Sequence, residues 1–157
     1  MLPKWHLLIG FVFSYVLVYF FNFSVLSGVI VFLSSWLIID FDHYLLYLSI
    51  NKDFSLSRAY YSFLLRKEKY LKLSLEERQA QQQYKRNLLI FHGIEFWIIL
   101  GILSYFNNIF LFILLGFFIH MLADWTEMYF IQEPIYMKFS QTYTFIKNKK
   151  LKEFVLK

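Results

Sequence analysis

The 157-residue chain is short enough for one domain, and its composition is not that of a soluble one: 59% of residues are hydrophobic, 23% aromatic and only 17% charged. Ordinary globular domains are about 45–50% apolar. Cysteine is absent, which excludes disulfides and thiolate metal sites, so a metal would have to be held by histidine and carboxylate. The net charge of +5 does not read as nucleic-acid binding, because no Lys or Arg falls between Lys4 and Lys52 or between Arg86 and Lys138.

In chain order, the first uncharged gap holds two apolar runs parted by a tight reversal at Asn22, and they predict membrane spans over about 5–21 and 23–41. A cleaved signal peptide is the rival reading of the first run, but no A-x-A-like cleavage site follows it. Residues 51–87 then carry nine Lys/Arg against four Asp/Glu. Within them "SRAYYSFLLRKEKYLKL" interleaves bases with Tyr, Phe and Leu, as an amphipathic helix at a membrane surface does. Ser74 with Glu77 forms a capping-box pattern, predicting a helix from Leu75 that runs on toward the third span. The second gap predicts spans over about 88–106 and 109–127, reversed at Asn107–Asn108, with Trp5 and Trp125 suited to the interface. A basic tail over 130–157 closes the chain; from Lys138 on it has six lysines and one glutamate.

The fold class expected is all-α: an integral-membrane four-helix bundle of two helical hairpins, with a cytoplasmic helical insert between spans two and three. Lys4, the insert and the tail hold every Lys and Arg, while both hairpin turns are uncharged. By the positive-inside rule this is a multi-pass protein of the cell (inner) membrane with both termini cytoplasmic. Its partners are then the bilayer and anionic lipid headgroups facing the basic segments.

Into these apolar windows the sequence places all four histidines, His6, His43, His92 and His120, with Asp40, Asp42, Glu95 and Asp124. On helices His92 and Glu95 (i,i+3), His120 and Asp124 (i,i+4), and Asp40 and His43 (i,i+3) share faces. Glu127 falls on the face of His120 and reads as an exposed or supporting residue. At 1.5 Å rise per residue, His6, Asp40, His92 and Asp124 all lie about 21–25 Å from the outer turns. Four elements therefore bring metal-ligating residue types to one layer. Carboxylates taken out of water without a basic neighbour repel one another. A divalent cation answers that, zinc foremost and manganese or iron next, as one or two ions. The expected ligands are His6, Asp40, Asp42, His43, His92, Glu95, His120 and Asp124, with Glu95 or Asp42 also candidates for the proton-accepting base. Buried hydrogen bonding without metal and an ion or proton pathway are the alternatives.

"HLLIG" (6–10), "DFDH" (40–43), "FHGIEFW" (91–97) and "GFFIHMLAD" (116–124), in that order, resemble the motifs of the small membrane-bound metal-dependent hydrolases. That family is distantly akin to zinc-dependent phospholipase C. The resemblance covers roughly residues 5–125, with the insert 51–87 and the tail outside it. It departs from the family pattern at Ile39, where proline is common. It also departs at His92-x-x-Glu95, which replaces H-R-G-x-T-H so that Glu95 would stand in for a histidine. The resemblance implies metal-assisted hydrolysis, with a phosphoester such as a phospholipid headgroup as substrate. Its rivals are an ion or proton transporter, a haem protein, or a membrane scaffold with an idle metal site.

Overall fold

A computed structural model describes residues 3–152; positions 1–2 and the last part of the basic tail, 153–157, lie outside the described residues. The regular elements are helical: α1 (Pro3–Phe20), α2 (Val25–Leu33), a π-turn (Ser34–Ile38), α3 (Phe41–Asn51), α4 (Leu56–Lys72), α5 (Leu75–Gln81), a 3-10 turn (Ile90–His92), α6 (Ile94–Ser104), α7 (Asn108–Phe130), α8 (Tyr136–Phe139) and α9 (Gln141–Asn148). One isolated parallel bridge joins Tyr84 to Lys152. Two stretches are long and apolar enough to cross a membrane, Val25–Asn51 and Asn108–Phe130, and two further apolar helices are shorter, Lys4–Phe20 and Ile94–Ser104.

Helix α7 is the axis of the bundle; α1, α2, the π-turn and α6 all pack on it. Small residues let these backbones approach, as in membrane helix pairs. A Cβ on Gly116 would stand 2.1 Å from Ser34 Oγ and 2.6 Å from the Val31 carbonyl, and one on Gly10 would stand 1.9 Å from Ser35 Oγ. The interface serines return their hydroxyls to their own helices: Ser14 Oγ donates to the Gly10 carbonyl (2.7 Å), Ser34 Oγ to Ile30 (2.6 Å) and Ser35 Oγ to Phe32 (2.7 Å). Around α7 a buried cluster of Ile39, Trp97, Leu100, Phe117 and Met121 forms the core. The outward faces are apolar too, with Phe11, Tyr15, Ile98, Ile102 and Phe118 exposed.

The first reversal and the Asn107 turn form as expected. Asn22 takes φ 55° in the first turn, and Asn107 Oδ1 accepts from Ile109 N at the start of α7. Ser74 and Glu77 form the reciprocal capping box that opens α5. The expected continuation of that helix into span three does not occur. α5 stops at Gln81, and the predicted span over 88–106 is helical only from Ile94, an α6 of 11 residues. At 1.5 Å per residue that is about 17 Å, against a hydrocarbon core of about 30 Å. The segment ahead of α6 leaves the helix because other elements satisfy its backbone: Leu89 N donates to Gln141 Oε1 (2.7 Å) and Phe91 N to Asp42 Oδ2 (3.2 Å), while the Phe91 carbonyl accepts from Trp97 Nε1 (3.2 Å). Irregular backbone is tolerated at such depth only where protein supplies these partners.

The tail does not trail away. Residues 136–148 fold back onto the end of the insert: Asn148 brackets Arg86, accepting from its N–H and donating to its carbonyl, each at 2.8 Å. Lys85 N donates to the Lys152 carbonyl at 2.9 Å. At its other end the insert is fixed by Asp53, whose oxygens accept from Tyr47 Oη and from two nitrogens of Arg58, all at 2.6 Å. Arg58 holds the Asp53 carboxyl far below the usual carboxylate range. That clamp turns α3 into α4, so α4 packs back on α3 and walls the entrance to the site.

Candidate metal centre

Four elements, α1, α3 with its N-cap Asp40, the 3-10 turn and α7, deliver the histidines and aspartates of the cluster. α1 contributes His6, the N-cap and first turn of α3 contribute Asp40, Asp42 and His43, the 3-10 turn contributes His92, and α7 contributes His120 and Asp124. His6, Asp42, His92, His120 and Asp124 are buried, while Asp40 and His43 are partly exposed. Three groups offer ligand atoms within 4.8 Å of one another: His6–Asp40–His120, Asp40–His43–His92, and His92–His120–Asp124. Asp40 belongs to two of them. Its Oδ1 lies 3.6 Å from His120 Nε2, 3.7 Å from His43 Nε2 and 3.8 Å from His92 Nε2. Asp124 meets His120 Nε2 and His6 Nε2 at 3.2 Å each, and the His6 and His120 rings stack with centroids 3.9 Å apart.

Hydrogen bonds on the far side of two rings fix their tautomers. The Ser35 carbonyl can only accept, so His120 Nδ1, 2.8 Å away, carries the proton. His92 Nδ1 donates in the same way to Asp42 Oδ2 at 3.0 Å. In their neutral forms both rings therefore turn an Nε2 lone pair inward toward carboxylate oxygens; His120 Nε2 lies 3.2 Å from Asp124 Oδ2, and His92 Nε2 is buried without a hydrogen-bond partner among the described residues. Lone pairs facing anions repel; a cation between them reverses the sign. This is the arrangement in which a carboxylate or backbone carbonyl orients a metal-binding histidine. Zinc, bound at about 2.0–2.1 Å, needs neighbouring ligand atoms about 3.3 Å apart; the close histidine–carboxylate pairs here are 3.2 to 3.8 Å apart, and all ligand atoms of a group lie within 4.8 Å. The residues fit a divalent ion, and Asp40, shared between two groups, fits a pair.

Two expected members are placed otherwise. Glu95 does not reach the cluster. Gly93, with φ −81° and ψ 141°, separates the turn bearing His92 from α6, so the i,i+3 helical face does not exist. Glu95 instead accepts from Ser140 Oγ (2.6 Å), Gln141 N (3.1 Å) and Thr142 N (3.0 Å), capping α9. Asp42 is within the site but outside the three ligand groups; its Oδ2 accepts from His92 Nδ1 and Phe91 N. It orients His92, and neither carboxylate is placed as the base expected of it. Glu127 pairs with Lys67, both oxygens at 2.7 Å from Nζ.

Lys138 is the member sequence reasoning missed, having assigned it to the tail. α8 carries it into the cluster, where Nζ donates to Asp124 Oδ2. Burial alone would lower its pKa, but the Asp124, Asp40 and Asp42 carboxylates hold it above the ordinary lysine value. Pro134, a helix breaker shortly before Lys138, was the signal that the chain turns back. Among the described residues, three aspartates against one ammonium leave two negative charges in the cluster, the charge of one divalent ion. Of the cluster, Asp40, His43 and Lys138 line a cavity of about 540 Å³ between α3, α4 and α7.

No family model matches the sequence, and neither a curated protein nor a solved structure matches it.

Proposed function

We propose that the protein is a multi-pass membrane hydrolase that binds one or two divalent ions, zinc foremost, and cleaves a phosphoester at the cytoplasmic face. The observation that carries this reading is the pair of Nε2 lone pairs, on His92 and His120, aimed at Asp40 and Asp124. The step from metal site to hydrolase rests on the likeness of the four motifs to the membrane-bound metal-dependent hydrolases. The topology rests on the confinement of Lys and Arg to the termini and the insert.

In this reading His6, Asp40, His43, His92, His120 and Asp124 hold the ion or ions, and Asp42 fixes the ring of His92. A bound ion supplies Lewis-acid chemistry, lowering the pKa of water and drawing charge from a phosphoryl oxygen. Asp40 and His43 open the site onto the cavity, where the Asp40 oxygen left free by the ion would take the proton of an incoming water, and the Lys138 ammonium faces the substrate anion. A polar path for ions is harder to build. Toward the outer ends of the helices Ser14, Ser27 and Ser104 are each hydrogen-bonded within their own turn.

One observation favours a second reading, a polar network held without metal: the Lys138–Asp124 pair already brings a cation to the cluster. Elemental analysis of detergent-purified protein separates the two. The hydrolase reading expects stoichiometric transition metal in the wild type, its loss in Asp40→Ala and Asp124→Ala, and chelator-sensitive hydrolysis of a phospholipid panel. Metal-free wild type, or variants that keep their metal undiminished, would leave only the network.

A further inference from the structure

The cavity beside the cluster carries polar groups that the proposed metal site does not use. Its bases are Arg66, Lys67, Arg86 and Lys138. Lys67 is paired with Glu127 and Lys138 with Asp124. Arg66 bonds only the Ser62 carbonyl of its own helix, at 3.3 Å. Arg86 is bracketed through its backbone by Asn148, yet its Nε and Nη2 are buried without a hydrogen-bond partner among the described residues. Among the described residues Trp36 Nε1, on the same cavity, is likewise buried without a hydrogen-bond partner, and the Tyr70 hydroxyl is buried there beside the Glu133 carboxylate. Burial and the Glu133 carboxylate push the Tyr70 hydroxyl up to about 12, so it stays a proton donor. With the paired groups set aside, Arg66 and Arg86 stand on the cavity wall against two carboxylates, Glu133 and Asp40, and Asp40 is the one the proposed metal site engages.

Buried donors without acceptors are rare, and a charged guanidinium among them is rarer still. Its planar fork suits the two oxygens of a phosphate. The rest of the wall is apolar: Leu37, Phe41, Phe63, Met128, Ile131 and Met137 surround the space. Its size is that of a small-molecule site. We infer that this cavity is a binding site for an anionic amphiphile, with a phosphate held by Arg86 and Tyr70 and a hydrocarbon chain laid along the apolar wall. Because Asp40 and His43 open onto the same space, the bound amphiphile is the substrate class of the proposed hydrolase. That last clause rests on the hydrolase reading; the anion site stands without it. Arg66, Tyr70 and Arg86 all belong to the insert, outside the stretch that resembles the hydrolase family.

The test is native mass spectrometry of the full chain in non-ionic detergent, titrated with dodecyl phosphate, dodecanol and inorganic phosphate. Dodecyl phosphate should bind, with dodecanol and inorganic phosphate each at least tenfold weaker. Arg86→Gln should weaken dodecyl phosphate about tenfold or more, Arg86→Lys should restore part of it, and Arg66→Gln, at an exposed position that folding does not depend on, should cost two- to threefold. Metal content should be unchanged in all three variants. Equal binding by wild type, Arg86→Gln and Arg66→Gln overturns the site. Inorganic phosphate binding as tightly as dodecyl phosphate overturns the amphiphile in favour of a free phosphate. Protein that carries no metal but still binds dodecyl phosphate through Arg86 removes the hydrolase and leaves this site in place.

Discussion

Asp42, 50 residues before His92, and Glu95, three residues after it, are both acidic groups expected at the site, and the structure gives them different work. Asp42 Oδ2 takes the Nδ1 proton of His92, so Asp42→Asn should weaken metal binding about 10–100-fold while leaving stoichiometry intact at saturating metal. A competitive chelator titration reads this directly, and loss of stoichiometry would instead make Asp42 a ligand. Glu95 holds the N-terminus of α9 through three donors. Glu95→Gln should therefore leave metal content unchanged and loosen α9 by about 1–2 kcal/mol, seen as faster amide exchange over 141–148. If Glu95→Gln lowers metal content, the ligand role given to it from spacing alone is restored.

Among the elements, α7 depends on Gly116 most directly. Alanine there gains about 1 kcal/mol of helix propensity. Its Cβ, however, would meet the Val31 carbonyl at 2.6 Å, and backbone cannot move aside cheaply. Overpacking of this kind costs about 1–3 kcal/mol, so Gly116→Ala should lower the unfolding temperature in detergent. A rise would mean that α2 and α7 are not packed as described. The element scale also shows how far sequence carries. The capping box at Ser74, the turns at Asn22 and Asn107, and the gathering of His6, Asp40, His43, His92, His120 and Asp124 were legible, because each follows from local chemistry or from helix rise along a known axis. The unwound stretch before α6 was not. Its cause is long-range: Gln141 and Asp42 satisfy Leu89 N and Phe91 N from elements about 50 residues away in sequence. The same holds for Lys138, whose place depends on how the chain turns after α7.

At the level of the whole molecule, the proposed orientation can be checked cleanly because the chain has no native cysteine. Tyr105→Cys, in the exposed turn before α7, should react with an impermeant maleimide in intact cells, while Gln79→Cys in the insert should react only after the membrane is opened. The opposite pattern would reverse the topology, and labelling of both sites in intact cells would dismiss it. The return of α8 and α9 to the insert has a consequence for biosynthesis. Lys138 and the Asn148 bracket around Arg86 are translated after every helix they complete. In the proposed topology the core helices enter the bilayer as they leave the ribosome, but the cavity gains its last wall and the cluster its ammonium only once this later segment has emerged. A nascent chain halted ahead of it would hold the histidines and aspartates without the lysine, leaving Asp124 short of one counter-charge.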